Sequence, residues 1–234
     1  MKVFAENLCL NMTEVDDYPS YAYPLLDWTG FLLALEQSEP FHGQTFHVLA
    51  ESESSFVKEL FEFQKIDTWR AKNMVVEFRF KNRTELGEFW SNFSSLFDKR
   101  EIVAGGLVQN ERAEYLFIYN RGKWTLPKGH VEKDEDVQTT AIREVQEETG
   151  LLEMEILFPL SQTYHTFLKK GKWRFKTTHW FKMSANSEQL LIPQLAENIE
   201  AAAWISKEDW IEKRLETYPL TQDLLLQEFV QNDL

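Results

Sequence analysis

The stretch Gly129–Leu151 reads GHVEKDEDVQTTAIREVQEETGL, and no other segment of the chain says as much about its chemistry. It fits the pattern G-x5-E-x7-R-E-U-x-E-E-x-G-U, in which U is a bulky aliphatic residue. The matching positions are Gly129, Glu135, Arg143, Glu144, Val145, Glu147, Glu148, Gly150 and Leu151. Seven of these positions specify a single residue type, so a chance match is very improbable at average residue usage.

Three glutamates of this stretch share one face of a helix predicted from about Asp134 to Thr149. Glu144, Glu147 and Glu148 are related as i, i+3 and i+4, and such positions lie side by side on a helix. Like charges in this arrangement repel each other, whereas carboxylate oxygens are good ligands for Mg²⁺ or Mn²⁺. We therefore expect the three glutamates to bind a divalent cation, with the backbone carbonyl of Gly129 as a further ligand.

Two basic residues accompany the glutamates. Arg143 carries a fixed charge on a bidentate fork, and we expect it to pair with Glu135 or Glu147 and so hold the carboxylates in place. Lys128 directly precedes Gly129 and is expected to reach a phosphate oxygen. The opposite face of the predicted helix is apolar and is expected to pack on a sheet. It consists of Val137, Ala141 and Val145.

The stretch resembles the Nudix box of the Nudix hydrolases, and the resemblance extends over Ile102–Leu234. It implies an α/β protein whose main domain is an α/β/α sandwich around a mixed sheet. It also implies metal-dependent hydrolysis of a phosphoanhydride bond in a nucleoside diphosphate linked to another moiety. The general base varies in this family, so Glu148 and an acid of a downstream loop, Glu197 or Glu200, are alternatives. A non-catalytic ligand sensor or regulator on the same fold is the competing interpretation.

The chain is also similar to a two-part bacterial group of this family seen in Bacteroidetes, in which a small α/β segment precedes the Nudix part. The shared motifs are AGG-x-V at Ala104–Val108, G-K-W-x-L-P-K-G at Gly122–Gly129, T-Y-H-T at Thr163–Thr166 and P-Q at Pro193–Gln194. That group tends to carry paired acids after P-Q, whereas this chain has a single acid, Glu197. The departure argues against a two-carboxylate role for this loop.

A polar cluster at Asp98–Glu101 predicts the boundary between two domains. Residues 1–99 are expected to form a small α/β domain, and residues 100–234 the Nudix domain. The first domain carries no motif of its own. We expect it to serve as a dimerisation module or a substrate lid, and the first of these implies a homodimer.

The net charge of −13 argues against a nucleic-acid partner, because binding to a phosphate backbone needs a basic surface. Cys9 is the only cysteine, and no apolar run is long enough to span a bilayer. These features predict a cytoplasmic protein with no membrane partner and a small nucleotide or polyphosphate as its substrate.

The segment Lys169–Lys182 runs against the acidic trend, with six basic residues and no acid. It is predicted to be part of a hairpin, and a solvated hairpin surface is one interpretation of the charges. The other is phosphate binding by Lys170 and Arg174, with Tyr164 stacking on a base. This second interpretation favours a phosphate-rich substrate, such as a dinucleoside polyphosphate or a diphosphoinositol phosphate.

Overall fold

The structure, a computed structural model, describes residues 2–5, 8–14, 26–37, 45–50, 53–66, 74–213 and 216–232. The strands are β1 (Lys2–Ala5), β2 (Leu8–Glu14), β3 (Thr45–Leu49), β4 (Met74–Phe80), β5 (Lys99–Gln109), β6 (Tyr115–Asn120), β7 (Lys123–Thr125), β8 (Lys128–His130), β9 (Glu155–Pro159), β10 (Thr163–Lys169), β11 (Lys172–Ser184) and β12 (Ile199–Ile205). The helices are α1 (Trp28–Gln37), α2 (Ser54–Phe63), α3 (Arg83–Ser95), α4 (Val137–Thr149), α5 (Lys207–Lys213) and α6 (Pro219–Asn232).

The chain divides into two compact units. The first unit comprises Met1–Arg100 together with Tyr164–Phe175, and the second comprises Glu101–Thr163 together with Lys176–Leu234. Most of β10 and the first residues of β11 therefore belong to the first unit, although they follow the box in the sequence.

In the ranges that the structure describes, the first unit combines a sheet with the helices α1, α2 and α3. Its strands lie in the order β10-β1-β2-β4-β3. The β1–β2 pair is antiparallel, whereas β1–β10, β2–β4 and β3–β4 are parallel pairs. Fully buried aromatic side chains from the helices and the sheet form its core. Among them are Phe31 of α1, Phe78 of β4, and Phe89 and Phe93 of α3.

Helix α1 has no counterpart among the sequence-based expectations. Its sequence, WTGFLLALEQ, is apolar on most sides and contains Gly30, so it lacks a clear helical period. Its start is set by the Asp27 carboxylate, which accepts the Gly30 backbone N–H at 2.7 Å. An acid placed three residues before a glycine is a weak signal, because the same arrangement is common in turns.

The second unit is a sheet with helices on both faces. Its strands lie in the order β12-β6-β5-β11, with β7 beside β6, β8 beside β5 and β9 beside β11. Helix α4 packs on one face through Ala141 and Val145. Helices α5 and α6 cover the other face through Trp210, Leu225 and Phe229. This arrangement confirms the predicted α/β/α sandwich.

The helices of both units are short, and the longest, α6, has 14 residues. Among the residues that the structure describes, no helix has the length and the apolar character needed to cross a bilayer.

Candidate active site

The loop that leads into α4 lies close against β5, and two glycines allow this. The Gly106 N–H donates to the carbonyl oxygen of Pro127 at 3.1 Å. A Cβ atom on Gly105 would lie 2.3 Å from the same oxygen, and one on Gly106 would lie 2.8 Å from a methyl group of Val145. No side chain fits at either position, so the Gly105-Gly106 pair brings both the loop and α4 close to the sheet.

Both ends of α4 are capped by local sequence. The helix begins at Val137, later than the predicted start near Asp134, which adopts a left-handed φ of 67°. The Asp136 carboxylate is the N-cap and accepts two backbone N–H groups of the first turn at 2.9 and 2.8 Å. At the other end Gly150 has the left-handed conformation typical of a helix C-terminus, with φ of 74°.

Arg143 connects the acids of the box to one another and to the preceding loop. Its guanidinium donates twice to Glu135, each time at 2.9 Å, and also to Glu144 at 2.8 Å and Glu147 at 3.0 Å. It further donates to the backbone carbonyl of His130 at 3.1 Å. The bond from Arg143, followed by one from a threonine hydroxyl, lowers the pKa of Glu135 to about 2. Both of the pairings considered for Arg143 are therefore present, and Arg143 fixes the loop as well.

Glu144 and Glu148 are enclosed by β8 and are only 7% and 4% exposed. The Glu148 carboxylate accepts the backbone N–H of Lys128 at 2.7 Å. A Cβ atom on Gly129 would lie 2.0 Å from the carboxyl group of Glu144, so any larger residue there would displace that carboxylate. Burial raises the pKa of Glu148 to about 7 and also raises the pKa of Glu144. The sequence predicted a charged helix face, and the structure shows that two of its carboxylates are withdrawn from water.

The buried carboxylates fit a divalent cation in their chemistry. Besides burial, the charges of Glu147 and Glu197 raise the pKa of Glu144. The charges of Glu144 and Glu197 likewise raise the pKa of Glu148, so these acids repel one another. Within the described ranges, however, no group of three His, Cys, Asp or Glu side chains is arranged to bind a single metal ion. Glu147 is turned toward Arg143 and its side chain is 46% exposed. One nitrogen of Arg143 binds the carboxylates of both Glu144 and Glu147.

The loop after β11 brings Glu197 to this cluster. Two backbone N–H groups of the loop, from Ile192 and Gln194, donate to the carbonyls of Thr149 and Glu148 at the end of α4. Glu197 lies in a short 3₁₀ turn, and its charge raises the pKa of both Glu144 and Glu148. The predicted downstream acid therefore lies within electrostatic reach of the buried pair.

Three of the residues predicted to bind substrate lie in the first unit, whereas Lys128 lies in the second. Lys170 occupies the hairpin turn with a left-handed φ of 52°, and Arg174 follows on β11. The Tyr164 ring packs against Trp90 at a centroid distance of 4.5 Å and stacks on Phe175. The Tyr164 ring is thus part of an aromatic cluster of the first unit.

One pair next to the box has no counterpart in the sequence analysis. The imidazole Nε2 of His130 lies 2.8 Å from a carboxylate oxygen of Glu101. The Glu101 side chain is only 5% exposed. The sequence signal is slight: a single acid at the start of an otherwise apolar strand, with its partner 29 residues away.

Comparison with known proteins gives a consistent result. The family model of the Nudix domain matches residues 99–225, which is more than half of the 234 residues. A protein of Mycobacterium tuberculosis assigned as mutator protein MutT4 is 37% identical over 116 residues, or 45% of this chain and 46% of that protein. The RNA pyrophosphohydrolase of Roseobacter denitrificans is 33% identical over 115 residues, or 43% of this chain and 71% of that protein.

Other matches cover the same region. Nudix hydrolase 2 of Arabidopsis thaliana is 30% identical over 115 residues, or 46% of this chain and 39% of that protein. The chain thus spans less than half the length of several of these relatives. A crystal structure of a C. elegans Ap4A hydrolase binary complex aligns with a TM-score of 0.45 and 24% identity, covering 56% of this chain and 98% of that one. The match of the family model over more than half of its length shows that the chain belongs to the Nudix family.

Proposed function

We propose that this chain is a metal-dependent hydrolase that cleaves a phosphoanhydride bond in a nucleoside diphosphate linked to another moiety. The observation that carries the proposal is the buried pair Glu144 and Glu148, held against the strand Lys128–His130. Burial of two carboxylates is unfavourable unless the charges are paired or bind a metal ion. Relatives named RNA pyrophosphohydrolase match part of the chain and support cleavage of a pyrophosphate bond.

In this proposal Glu148 accepts the proton of the attacking water. A general base must be ionised to accept a proton. Burial raises the pKa of Glu148 to about 7 in the metal-free protein, and a bound cation would lower that pKa and keep the carboxylate ionised. Glu197 is the alternative base, because it lies close enough to influence both buried carboxylates. The two assignments differ in which substitution abolishes the chemical step.

The remaining residues of the box hold the site together. Arg143 keeps Glu144 and Glu147 in place, and Glu135 anchors Arg143 from the other side. The proposed ligands of a Mg²⁺ or Mn²⁺ ion are Glu144, Glu147 and Glu148, together with the carbonyl of Gly129. When bound, such an ion polarises phosphoryl oxygens and lowers the pKa of water.

The proposed substrate-binding residues are chosen mainly for their positive charge. The Lys128 side chain is close enough to Glu148 to lower that residue's pKa, and we assign it to a phosphate oxygen. In the first unit, the basic run that includes Lys170 and Arg174, together with the neighbouring Tyr164, supports a phosphate-rich substrate. A dinucleoside polyphosphate or a diphosphoinositol phosphate is the specific proposal.

We further propose that residues 1–99, the larger part of the first unit, serve the Nudix domain of residues 100–234 either in dimerisation or as a substrate lid. Light scattering on the full chain distinguishes these roles. A monomeric mass at all accessible concentrations would exclude a role in dimerisation.

The test is a panel of nucleotide and inositol pyrophosphates, incubated with the full chain and Mg²⁺ or Mn²⁺, with products identified by mass. Wild type should hydrolyse at least one compound, and Glu148→Gln should lose that activity while its fold survives. The control is Glu188→Gln, which removes an exposed acid that pairs with Arg112 and should retain full activity. Binding of a panel compound without any hydrolysis would contradict the proposal and favour the sensor interpretation.

A further inference from the structure

The strand β8 separates two structural environments. It pairs with β5 so that Gly129 lies beside Ala104 and His130 beside Val103. Successive residues of a strand face opposite sides. A side chain on Gly129 would strike Glu144 of the box helix, whereas His130 bonds with Glu101 on the other side. One side of β8 thus faces the buried glutamates of α4, and the other side faces the pair of His130 and Glu101.

Glu101 is a charged residue in a buried position, where a charge is unfavourable unless something stabilises it. It lies on β5, it is 6% exposed, and its carboxylate meets the His130 ring at 2.8 Å. Burial of a carboxylate is unfavourable unless it is hydrogen-bonded. His130, by contrast, is 59% exposed, so it could remain in solvent without Glu101. The pair therefore fixes the ring of the more exposed partner, His130, which belongs to the loop of the box.

The loop is also held by its backbone, since the Val131 N–H donates to the Ile102 carbonyl at 3.1 Å. A strand of three residues makes a short ladder with β5, and the backbone carbonyl of His130 is held by Arg143 at 3.1 Å. Arg143 acts from the side of the box helix, whereas Glu101 acts from the side of β5. Together they hold His130 by its main chain and by its ring. The backbone next to His130 carries the Lys128 amide and the Gly129 carbonyl.

We propose that Glu101 is a positioning residue for the active site: it holds the His130 ring, and through it keeps β8 in register against the buried glutamates. This inference rests on the proposed function, because it assigns Glu101 a part in forming the cation-binding side of β8. Glu101 itself does not touch the reacting groups. Residues that orient metal ligands without touching the metal commonly change metal affinity by about tenfold or more when they are replaced.

The test uses the full chain with three substitutions and measures properties other than activity. Glu101→Leu keeps the volume and removes the bond to His130, whereas Glu101→Gln keeps an acceptor for the ring N–H. His130→Ala removes the other partner. Binding of Mn²⁺ is followed by electron paramagnetic resonance, and amide exchange is measured for the peptide that contains residues 128–131. Glu228→Gln is the matched control, since Glu228 is a buried acid paired with Lys182 on the opposite face of the sheet.

The proposal expects Glu101→Leu to weaken Mn²⁺ binding about tenfold and to speed exchange in the 128–131 peptide. Glu101→Gln should rescue most of both effects. The double variant Glu101→Leu/His130→Ala should be no worse than either single variant, because both remove the same interaction. The control should lower the melting temperature without changing either measurement.

A merely structural role gives a different result. If Glu101→Leu and Glu228→Gln both lower the melting temperature, and both leave Mn²⁺ affinity and exchange unchanged, the positioning role is wrong. Failure of the proposed function is recognised separately, by a wild-type protein that binds Mn²⁺ normally but hydrolyses no panel compound. In that case the change in Mn²⁺ affinity still decides whether Glu101 positions β8.

Discussion

Replacement of Glu148 by glutamine should make the metal-free protein more stable than wild type at pH 8. Burial raises the pKa of Glu148 from 4.5 to about 7, and the residue is 4% exposed. Because one pKa unit corresponds to about 1.4 kcal/mol, the buried charge costs about 3 kcal/mol once it is fully formed. Glutamine has the same shape and can still accept the Lys128 N–H, but it carries no charge.

The sign of the effect follows from the two protonation states. Between pH 4.5 and pH 7 the unfolded chain has released the Glu148 proton while the folded chain still binds it. The folded state therefore binds more protons, and wild-type stability falls as the pH rises through this window. Above pH 7 both states are ionised and the full cost is present. The glutamine variant lacks this dependence on pH.

The measurement is urea unfolding of both proteins in EDTA at pH 5 and pH 8, followed by tryptophan fluorescence. Relative to wild type, the unfolding free energy of the variant should increase by about 2–3 kcal/mol between pH 5 and pH 8. Glu147→Gln is the control, because its side chain is 46% exposed and its removal relieves no buried charge. A difference that stays constant with pH, or a wild type that is the more stable protein at pH 8, would refute the reasoning.

Three further substitutions test the geometry of the box. Gly129→Ala would place a Cβ atom 2.0 Å from the Glu144 carboxyl carbon, so we expect a cost of about 1–3 kcal/mol and loss of the Mg²⁺ response, checked by melting curves with and without Mg²⁺. Arg143→Lys should lower kcat/KM at least about tenfold, because an ammonium cannot reproduce the guanidinium fork; full activity in steady-state kinetics would contradict this. Gly150→Ala should destabilise the protein by about 1–2 kcal/mol in urea unfolding, since a φ of 74° is unfavourable for alanine, and an unchanged transition would show that the helix end adjusts freely.

The box could be derived from the sequence because its information is local. The spacing of Glu144, Glu147 and Glu148 places them on one side of a helix whatever the rest of the chain does. The terminal glycine, Gly150, follows from the need for a left-handed residue at the helix end. Family membership and the α/β/α sandwich follow from the same stretch, and both are confirmed.

The remaining features depend on contacts between distant parts of the chain. Burial of Glu144 and Glu148 results from contacts with Gly129 and Lys128, which lie 15 and 20 residues upstream of them, and no helical pattern contains that information. The pairing of Glu101 with His130 depends on the register of β8 on β5. Helix α1 was missed because its sequence is apolar on most sides and its start depends on a single carboxylate.

The path of the chain through Tyr164–Phe175 has a consequence for protein engineering. These twelve residues are encoded within the Nudix region but complete the sheet and core of the first unit. A gene fragment that starts at residue 100 would still encode the hairpin, yet it would lack strand β1, on which β10 forms its ladder. Trp173 and Phe175 would then lose their neighbours in the core of the first unit, Trp90 and Phe97 among them. The two units therefore cannot be separated by a single cut in the coding sequence, and a soluble Nudix fragment would require a redesigned hairpin.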